Sequence, residues 1–276
     1  SGGEAGQIFY SRAKAAEAST VGWSAPQELP APALAADWPQ LGVDASGRLT
    51  VAYVVPINEE RGVYVVQTQD SGETWSPPEQ VFDAAGAGWA MVDHLALAVA
   101  FDGTLHLAWA KAGMPGTNAA QGIYYTSSIA SIGAPDPQAV PTWSQPIRLA
   151  ETGFDWPQLL WVRGDVHLLY ARQGDGTLWH RWIDGRSPSS STPRENLAAW
   201  KPAARVPGWQ NMALPVGLGL AGETLYLAGI DRSGAPYYAT WEHATAEAPR
   251  WSQAETFWLG PEVVGGLGAA AAAAPL

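Results

Sequence analysis

A tryptophan that opens a short strand-like segment recurs five times along this chain, and the repeat constrains the fold more than any other feature. The copies lie 52, 68, 57 and 51 residues apart, at Trp23, Trp75, Trp143, Trp200 and Trp251. Each follows an apolar or aromatic run with the composition of a β-strand, such as Val63-Tyr64-Val65. A repeat of this length indicates one supersecondary unit per copy, so it decides the architecture before any local assignment.

A second pair of strands fits between one copy and the next. Its most regular part is a turn followed by an apolar run, at 47–53, 103–109, 164–170 and 224–228. The segment before that run is rich in small apolar residues, as at 95–100, which suits a crowded inner position. Four antiparallel strands per repeat predict an all-β fold, a β-propeller of four-stranded antiparallel blades. Five repeats are visible, which fits a five- or six-bladed ring whose terminal blade is incomplete.

The repeats place the whole chain, 1–276, in a single propeller domain. We expect a partial blade at 6–30, complete blades at about 37–83, 88–150, 155–206 and 208–259, and the innermost strand of a further blade at 260–276. The alanine run at 269–274 leaves a flexible tail as the alternative for that last segment.

The copy at Trp75 has the most distinctive surroundings. Thr68, Asp70, Gly72, Thr74 and Trp75 form the pattern Thr-x-Asp-x-Gly-x-Thr-Trp. An aspartate in a tight turn accepts backbone N–H groups, glycine supplies a positive φ, and a tryptophan ring holds its strand against a neighbour. The pattern resembles the Asp-box, or BNR repeat, of sialidase-like β-propellers and matches it at every fixed position. The other four copies lack the complete motif.

Resemblance to sialidases implies an arginine triad that holds a substrate carboxylate, a Tyr/Glu nucleophilic pair and an Asp acid/base. Arg61, Arg172 and Arg232 lie in corresponding loops of three blades, and converging guanidinium groups would suit a carboxylate. Each also has an acidic residue within three positions along the chain, so surface ion pairing is the alternative. The Arg-Ile-Pro motif typical of the family's first arginine is absent. These arginines are therefore the weak catalytic candidates.

Candidate ligand-binding residues lie near the starts of the predicted inner strands. They are Trp38, Trp89, Trp156 and Trp209, together with the pair Asp93 and His94. An aromatic ring of this kind could stack on sugars or on an aromatic peptide, whereas the alternative is that the tryptophans wedge between blades. An acid beside an imidazole could transfer a proton. Adjacent residues on a regular strand point to opposite faces, however, which argues against joint action of that pair.

Composition excludes several classes of function. A net charge of −11 with three lysines argues against a nucleic acid partner, and the absence of cysteine excludes disulfides and thiolate metal sites. The longest clean apolar run, 95–101, is too short to span a bilayer. No cofactor or metal motif occurs, and His106 and His167 occupy one repeat position that suggests blade packing.

The favoured function is a noncatalytic binding or scaffold module of a bacterial surface or secreted protein. Its expected partner is a glycan or a protein, without membrane insertion, and its expected location is extracellular or at the cell surface. The alternative is an exo-glycosidase of sialidase type with degenerate motifs.

Overall fold

A computed structural model describes residues 6–14, 22–114, 120–129, 142–183, 196–213, 216–221, 224–242 and 250–256. Nineteen strands and one turn of 3-10 helix, Leu197–Ala199, account for the regular structure of these residues. In chain order the strands are β1 (Phe9–Tyr10), β2 (Gln27–Glu28), β3 (Asp37–Val43), β4 (Leu49–Val55), β5 (Gly62–Thr68), β6 (Glu79–Asp83), β7 (Met91–Val99), β8 (Leu105–Ala112), β9 (Ala120–Ile129), β10 (Thr142–Trp143), β11 (Ile147–Ala150), β12 (Phe154–Val162), β13 (Asp165–Arg172), β14 (Leu178–Ile183), β15 (Ala204–Arg205), β16 (Gly217–Ala221), β17 (Thr224–Ile230), β18 (Pro236–Glu242) and β19 (Glu255–Thr256).

The strands form five antiparallel sheets that follow the chain. Four sheets are blades with the strand orders β3-β4-β5-β6, β7-β8-β9 with β10 and β11 both paired to β9, β12-β13-β14-β15, and β16-β17-β18-β19. A two-stranded sheet, β1-β2, precedes them. The predicted all-β propeller of four-stranded antiparallel blades is therefore confirmed. The segment 260–276, expected to supply the innermost strand of a further blade, lies outside the described residues.

Apolar side chains from neighbouring sheets fill the space between the blades. Ile8, just before β1, and Leu29, just after β2, belong to one buried cluster with Tyr53 of the first blade. Val54 of the first blade packs with Leu107 of the second, and equivalent clusters join the second blade to the third and the third to the fourth. Strands covered on both faces read as continuous apolar runs, which explains why β4 and β8 lack a polar face.

The loop at 68–75 is held by hydrogen bonds to one carboxylate. The Thr68 hydroxyl donates to Asp70 at 2.6 Å, and the Thr74 backbone N–H and hydroxyl donate to the same side chain at 3.0 and 2.6 Å. Gly72 has a φ of +88°, and a Cβ there would lie 2.3 Å from Cε1 of Tyr10. Tyr10 also meets Trp75 edge-on with ring centroids 5.2 Å apart. The loop therefore joins the first blade to the two-stranded sheet.

Replacing Asp70 with asparagine is expected to lower the Tm at neutral pH. Hydrogen bonds from the Thr68 and Thr74 side chains, and then from the Thr74 backbone, hold the pKa of Asp70 well below its usual 3.8. A depressed carboxylate pKa contributes stability above the unfolded value, and that contribution is lost as the pH falls through the folded value. The Tm difference between Asp70→Asn and the wild type should therefore shrink below pH 3.8. Thermal melts across this range, with exposed Glu59→Gln as control, would contradict the argument if the difference stayed constant.

Candidate functional site

The first strands of three consecutive blades share one irregularity near their starts. In β3, β7 and β12 the pairing register with the next strand shifts just after an aspartate. The residue after the aspartate has a left-handed φ of 42–56°, and its backbone N–H donates to that aspartate at 2.7–3.0 Å. The three pairs are Asp37 with Trp38, Asp93 with His94, and Asp155 with Trp156. A left-handed conformation costs about 1–3 kcal/mol for a residue with a Cβ, and the aspartate hydrogen bond offsets part of it.

The bulges bring the three following side chains together into what we call the inner aromatic cluster, Trp38, His94 and Trp156. The His94 ring stacks on Trp156 with centroids 3.7 Å apart, and the Trp38 centroid lies 4.5 Å from His94. The two indole rings meet edge-on at 5.2 Å. Side chains from three blades therefore form one contact group at the starts of their first strands.

Two carboxylates flank the imidazole of this cluster. His94 Nδ1 lies 2.6 Å from Asp155 Oδ1 and 3.8 Å from Asp93 Oδ2. Burial raises the pKa of Asp93, an effect that His94 opposes and the Asp155 charge reinforces, and a hydrogen bond from Trp38 also opposes it. Asp155 is buried and lies within 3.5 Å of Gln173 Nε2. The site therefore combines aromatic surface with hydrogen-bond acceptors.

The expectation that Asp93 and His94 point away from each other is wrong. That expectation holds for a regular strand, in which side chains alternate between faces. The bulge and the left-handed φ of 42° at His94 break the alternation, so the two side chains share one end of β7. His94 Nδ1 and Asp93 Oδ2 therefore lie 3.8 Å apart.

The other two candidate tryptophans lie apart from the inner aromatic cluster. Trp89 is buried between the Phe82 ring at 4.6 Å and the Tyr124 ring at 4.5 Å. Trp209 is fully buried in the core between the third and fourth blades. The four tryptophans therefore do not share one surface, and the position equivalent to Trp38 and Trp156 in the second blade is held by His94.

The three candidate arginines contact backbone carbonyls or a neighbouring carboxylate. Arg61 donates from Nε to the Trp89 carbonyl at 2.7 Å and from Nη1 to the Asn58 carbonyl at 2.6 Å. Arg172 is exposed, with Nη1 3.9 Å from Asp175 Oδ2. Arg232 Nη1 lies 3.4 Å from the carbonyl of Gly174, which is in the loop that follows Arg172. The loops of Arg172 and Arg232 therefore adjoin, and the described donors of both Arg61 and Arg232 are bonded to backbone carbonyls.

The sequence reasoning missed Asp37, Asp155 and Gln173. A signal for the aspartates was present, because an aspartate immediately precedes each member of the inner aromatic cluster. Gln173 follows β13 and carries no comparable pattern. Within the described ranges, no group of three or more metal-binding side chains is arranged to hold an ion, and no helix is long and apolar enough to cross a membrane.

Comparison with known proteins shows the fold. No protein-family model and no curated protein sequence matches the chain. Among solved structures it resembles the Hadza microbial sialidase Hz136, with a TM-score of 0.55 and 17% identity over 80% of this chain and 46% of that one. It also resembles the BP39L lectin from Burkholderia pseudomallei, with a TM-score of 0.55 and 14% identity over 86% of this chain and 61% of the lectin.

A third similar structure is the Trypanosoma rangeli sialidase in complex with the inhibitor DANA. Its TM-score is 0.53, with 11% identity over 85% of this chain and 40% of that one. The chain thus has the sialidase-like β-propeller fold and spans less than two thirds of the length of these three proteins. Identities this low carry the fold alone, since one fold hosts many functions.

Proposed function

We propose that this chain is a noncatalytic glycan-binding propeller module whose binding site is the inner aromatic cluster with Asp93 and Asp155. The observation that carries the proposal is the convergence of Trp38, His94 and Trp156 from three blades beside two carboxylates. Aromatic rings stack on the apolar faces of sugars, and carboxylate oxygens accept hydrogen bonds from sugar hydroxyls. A small number of polar groups around an aromatic surface is typical of sites that bind small molecules.

The residues of the site differ in exposure, which suggests a division of roles. Trp38 and Trp156 are partly exposed, so part of each ring remains for stacking. Asp93 is less enclosed than Asp155, so it is the carboxylate that would accept from a sugar hydroxyl. Asp155 is the positioning residue, because its short contact with Nδ1 holds the His94 ring against Trp156.

Two features favour binding over hydrolysis. Glycosidases of the two-carboxylate type, which do not include sialidases with a tyrosine nucleophile, place two carboxyl groups on either side of the scissile bond, with open space between them. Here Nδ1 of His94 lies 3.8 Å from Asp93 and 2.6 Å from Asp155, so both carboxylates contact the imidazole, which argues against hydrolysis by a two-carboxylate mechanism. Arg61 also donates from Nε and Nη1 to the carbonyls of Trp89 and Asn58, so fewer of its donors remain for a substrate carboxylate.

The alternative is an exo-glycosidase of sialidase type. The adjoining loops of Arg172 and Arg232 favour it, because Arg232 contacts the Gly174 carbonyl, two residues from Arg172 in the chain. Under either function we propose a bacterial surface or secreted protein with an extracellular glycan partner.

Replacing Trp38 with alanine is expected to weaken glycan binding by about fivefold, since a lost stacking contact is worth about 1 kcal/mol. The measurement is a glycan array on the intact chain, followed by titration of the best ligand. Trp23→Ala is the matched control, because Trp23 is 56% exposed and precedes the two-stranded sheet's second strand. Its affinity should equal that of the wild type.

A fluorogenic sialoside is tested alongside the array. Turnover that Arg172→Ala abolishes would overturn the noncatalytic proposal and support the alternative. An array without any bound glycan, or equal losses in Trp38→Ala and Trp23→Ala, would contradict the assigned site.

A further inference from the structure

The two carboxylates beside the inner aromatic cluster differ in how many of their acceptor positions are used. The Asp155 side chain is 7% exposed, and its Oδ1 lies 2.6 Å from Nδ1 of His94. The Asp93 side chain is 18% exposed, its Oδ1 accepts the His94 backbone N–H at 3.0 Å, and its Oδ2 lies 3.8 Å from His94 Nδ1, beyond hydrogen-bond distance. A carboxylate has about four acceptor positions, so Asp93 can also accept hydrogen bonds from a ligand.

Lysine and arginine do not neutralise these carboxylates. In the ranges that the structure describes, neither Asp93 nor Asp155 forms an ion pair with either residue type. Lys111 of β8 has its Nζ over the Trp89 ring, 5.1 Å from the centroid, and Arg172 of β13 contacts a carboxylate of its own loop. The imidazole between the two carboxylates can carry one positive charge at most. The site therefore keeps negative charge that a positively charged ligand can neutralise.

The aromatic surface beside Asp93 suits a cation. Trp38 donates a hydrogen bond to Asp93, so its ring and the carboxylate adjoin. The rings of Trp38 and Trp156 meet at an angle of 85°, and both are partly exposed. The face of an indole ring attracts a positive charge, and aromatic cages recognise ammonium groups in this way. The net charge of −11 also attracts cations to the protein as a whole.

We propose that the glycan bound at this site carries a free amino group, and that the ammonium lies between Asp93 and the exposed part of the Trp38 ring. An ammonium donates hydrogen bonds to the carboxylate, as a sugar hydroxyl does, and adds a positive charge that the hydroxyl lacks. Acetylation of the amine removes that charge. This inference rests on the proposed function, whose site it uses, and narrows the ligand to amino sugars that are not acetylated.

Matched glycans test this preference. Glycans that carry glucosamine, galactosamine or mannosamine are compared with their N-acetylated counterparts and with the parent sugars that have a hydroxyl at that position, at a pH at which the amine is protonated. At least one amine-bearing glycan should bind about tenfold more tightly than both of its counterparts, because a charge-assisted hydrogen bond and a cation–aromatic contact replace weaker neutral contacts.

Two substitutions that each remove one negative charge separate the contribution of Asp93 from that of the protein's overall charge. Asp93→Asn keeps an oxygen for the His94 backbone N–H and should abolish the preference, so that the free amine and its hydroxyl counterpart bind equally. Glu59→Gln, at an exposed position in another loop, is the matched control and should keep the preference of about tenfold.

The possible outcomes distinguish this inference from the proposed function. Binding of neutral glycans that depends on Trp38 but gains nothing from the amine would overturn the inference and leave the proposed function standing. A preference that persists in Asp93→Asn would also overturn it, because the overall charge of the protein would then account for the preference. An array on which no glycan binds would contradict the proposed function itself, and this inference with it.

Discussion

Replacing Trp209 with alanine is expected to lower the free energy of unfolding by about 3–5 kcal/mol, the range for removing a buried aromatic side chain. The ring is fully buried between the third and fourth blades, and its Cζ3 lies 3.1 Å from the position of a Cβ on Gly229. Its indole N–H is buried without a hydrogen-bond partner in the described structure, so removing it leaves no new unpaired group. The loss should therefore fall in the lower half of that range.

Chemical denaturation of Trp209→Ala beside Trp23→Ala measures this effect. Trp23 is largely exposed, so its substitution should change the free energy of unfolding by no more than about 0.5 kcal/mol. A Trp209→Ala protein as stable as the Trp23→Ala protein would contradict the burial of Trp209. The comparison also separates tryptophans that support the fold from Trp38, for which ligand binding is the expected readout.

The fold could be predicted because the repeats contain glycines at turns where the backbone requires a positive φ. Gly47, Gly103 and Gly164 have φ values of +84°, +82° and +100°, a region that side chains disfavour, so the turns before the second strands were visible in the sequence. The apolar runs after them are buried on both faces. These local requirements recur with the repeat, and the blade architecture follows from them.

The site could be predicted only in part, because its geometry depends on β-bulges. Trp89 was grouped with Trp38 as a residue near the start of an inner strand, whereas the bulge places His94 at that position and leaves Trp89 in the core. A bulge changes which face a side chain occupies without changing the composition of the strand. Sequence spacing therefore predicted the strand β7 but not the faces on which its side chains lie.

The contacts that loop residues make could not be predicted from the sequence either. Arg61 was assigned by the equivalence of its loop to two others, and its guanidinium instead binds the carbonyl of Trp89, 28 positions along the chain. A carbonyl is present at every residue, so no residue type marks the one that will accept such a bond.

Lowering the pH should destabilise this protein because of His180. Replacing that histidine should make the free energy of unfolding depend less on pH. His180 is fully buried, with Nε2 3.1 Å from Nδ1 of His167 and the Trp241 ring centroid 4.4 Å from its own. Burial, and then the neighbouring His167, hold the pKa of His180 well below its usual 6.5. Below pH 6.5, His180 therefore binds a proton in the unfolded chain but stays neutral in the folded chain until the pH reaches its lower folded pKa.

The direction of this pKa shift determines how the free energy of unfolding should depend on pH. The contribution of His180 is complete above pH 6.5, and about 1.4 kcal/mol is lost for each pH unit between its unfolded and folded pKa values. His180→Gln keeps a polar group near Nε2 but does not titrate, so its free energy of unfolding should fall less steeply below pH 6.5. Urea denaturation across this range, with Trp23→Ala expected to retain the wild-type slope, measures the difference. Parallel curves for His180→Gln and the wild type would mean that the buried imidazole is not the group that binds the proton on unfolding.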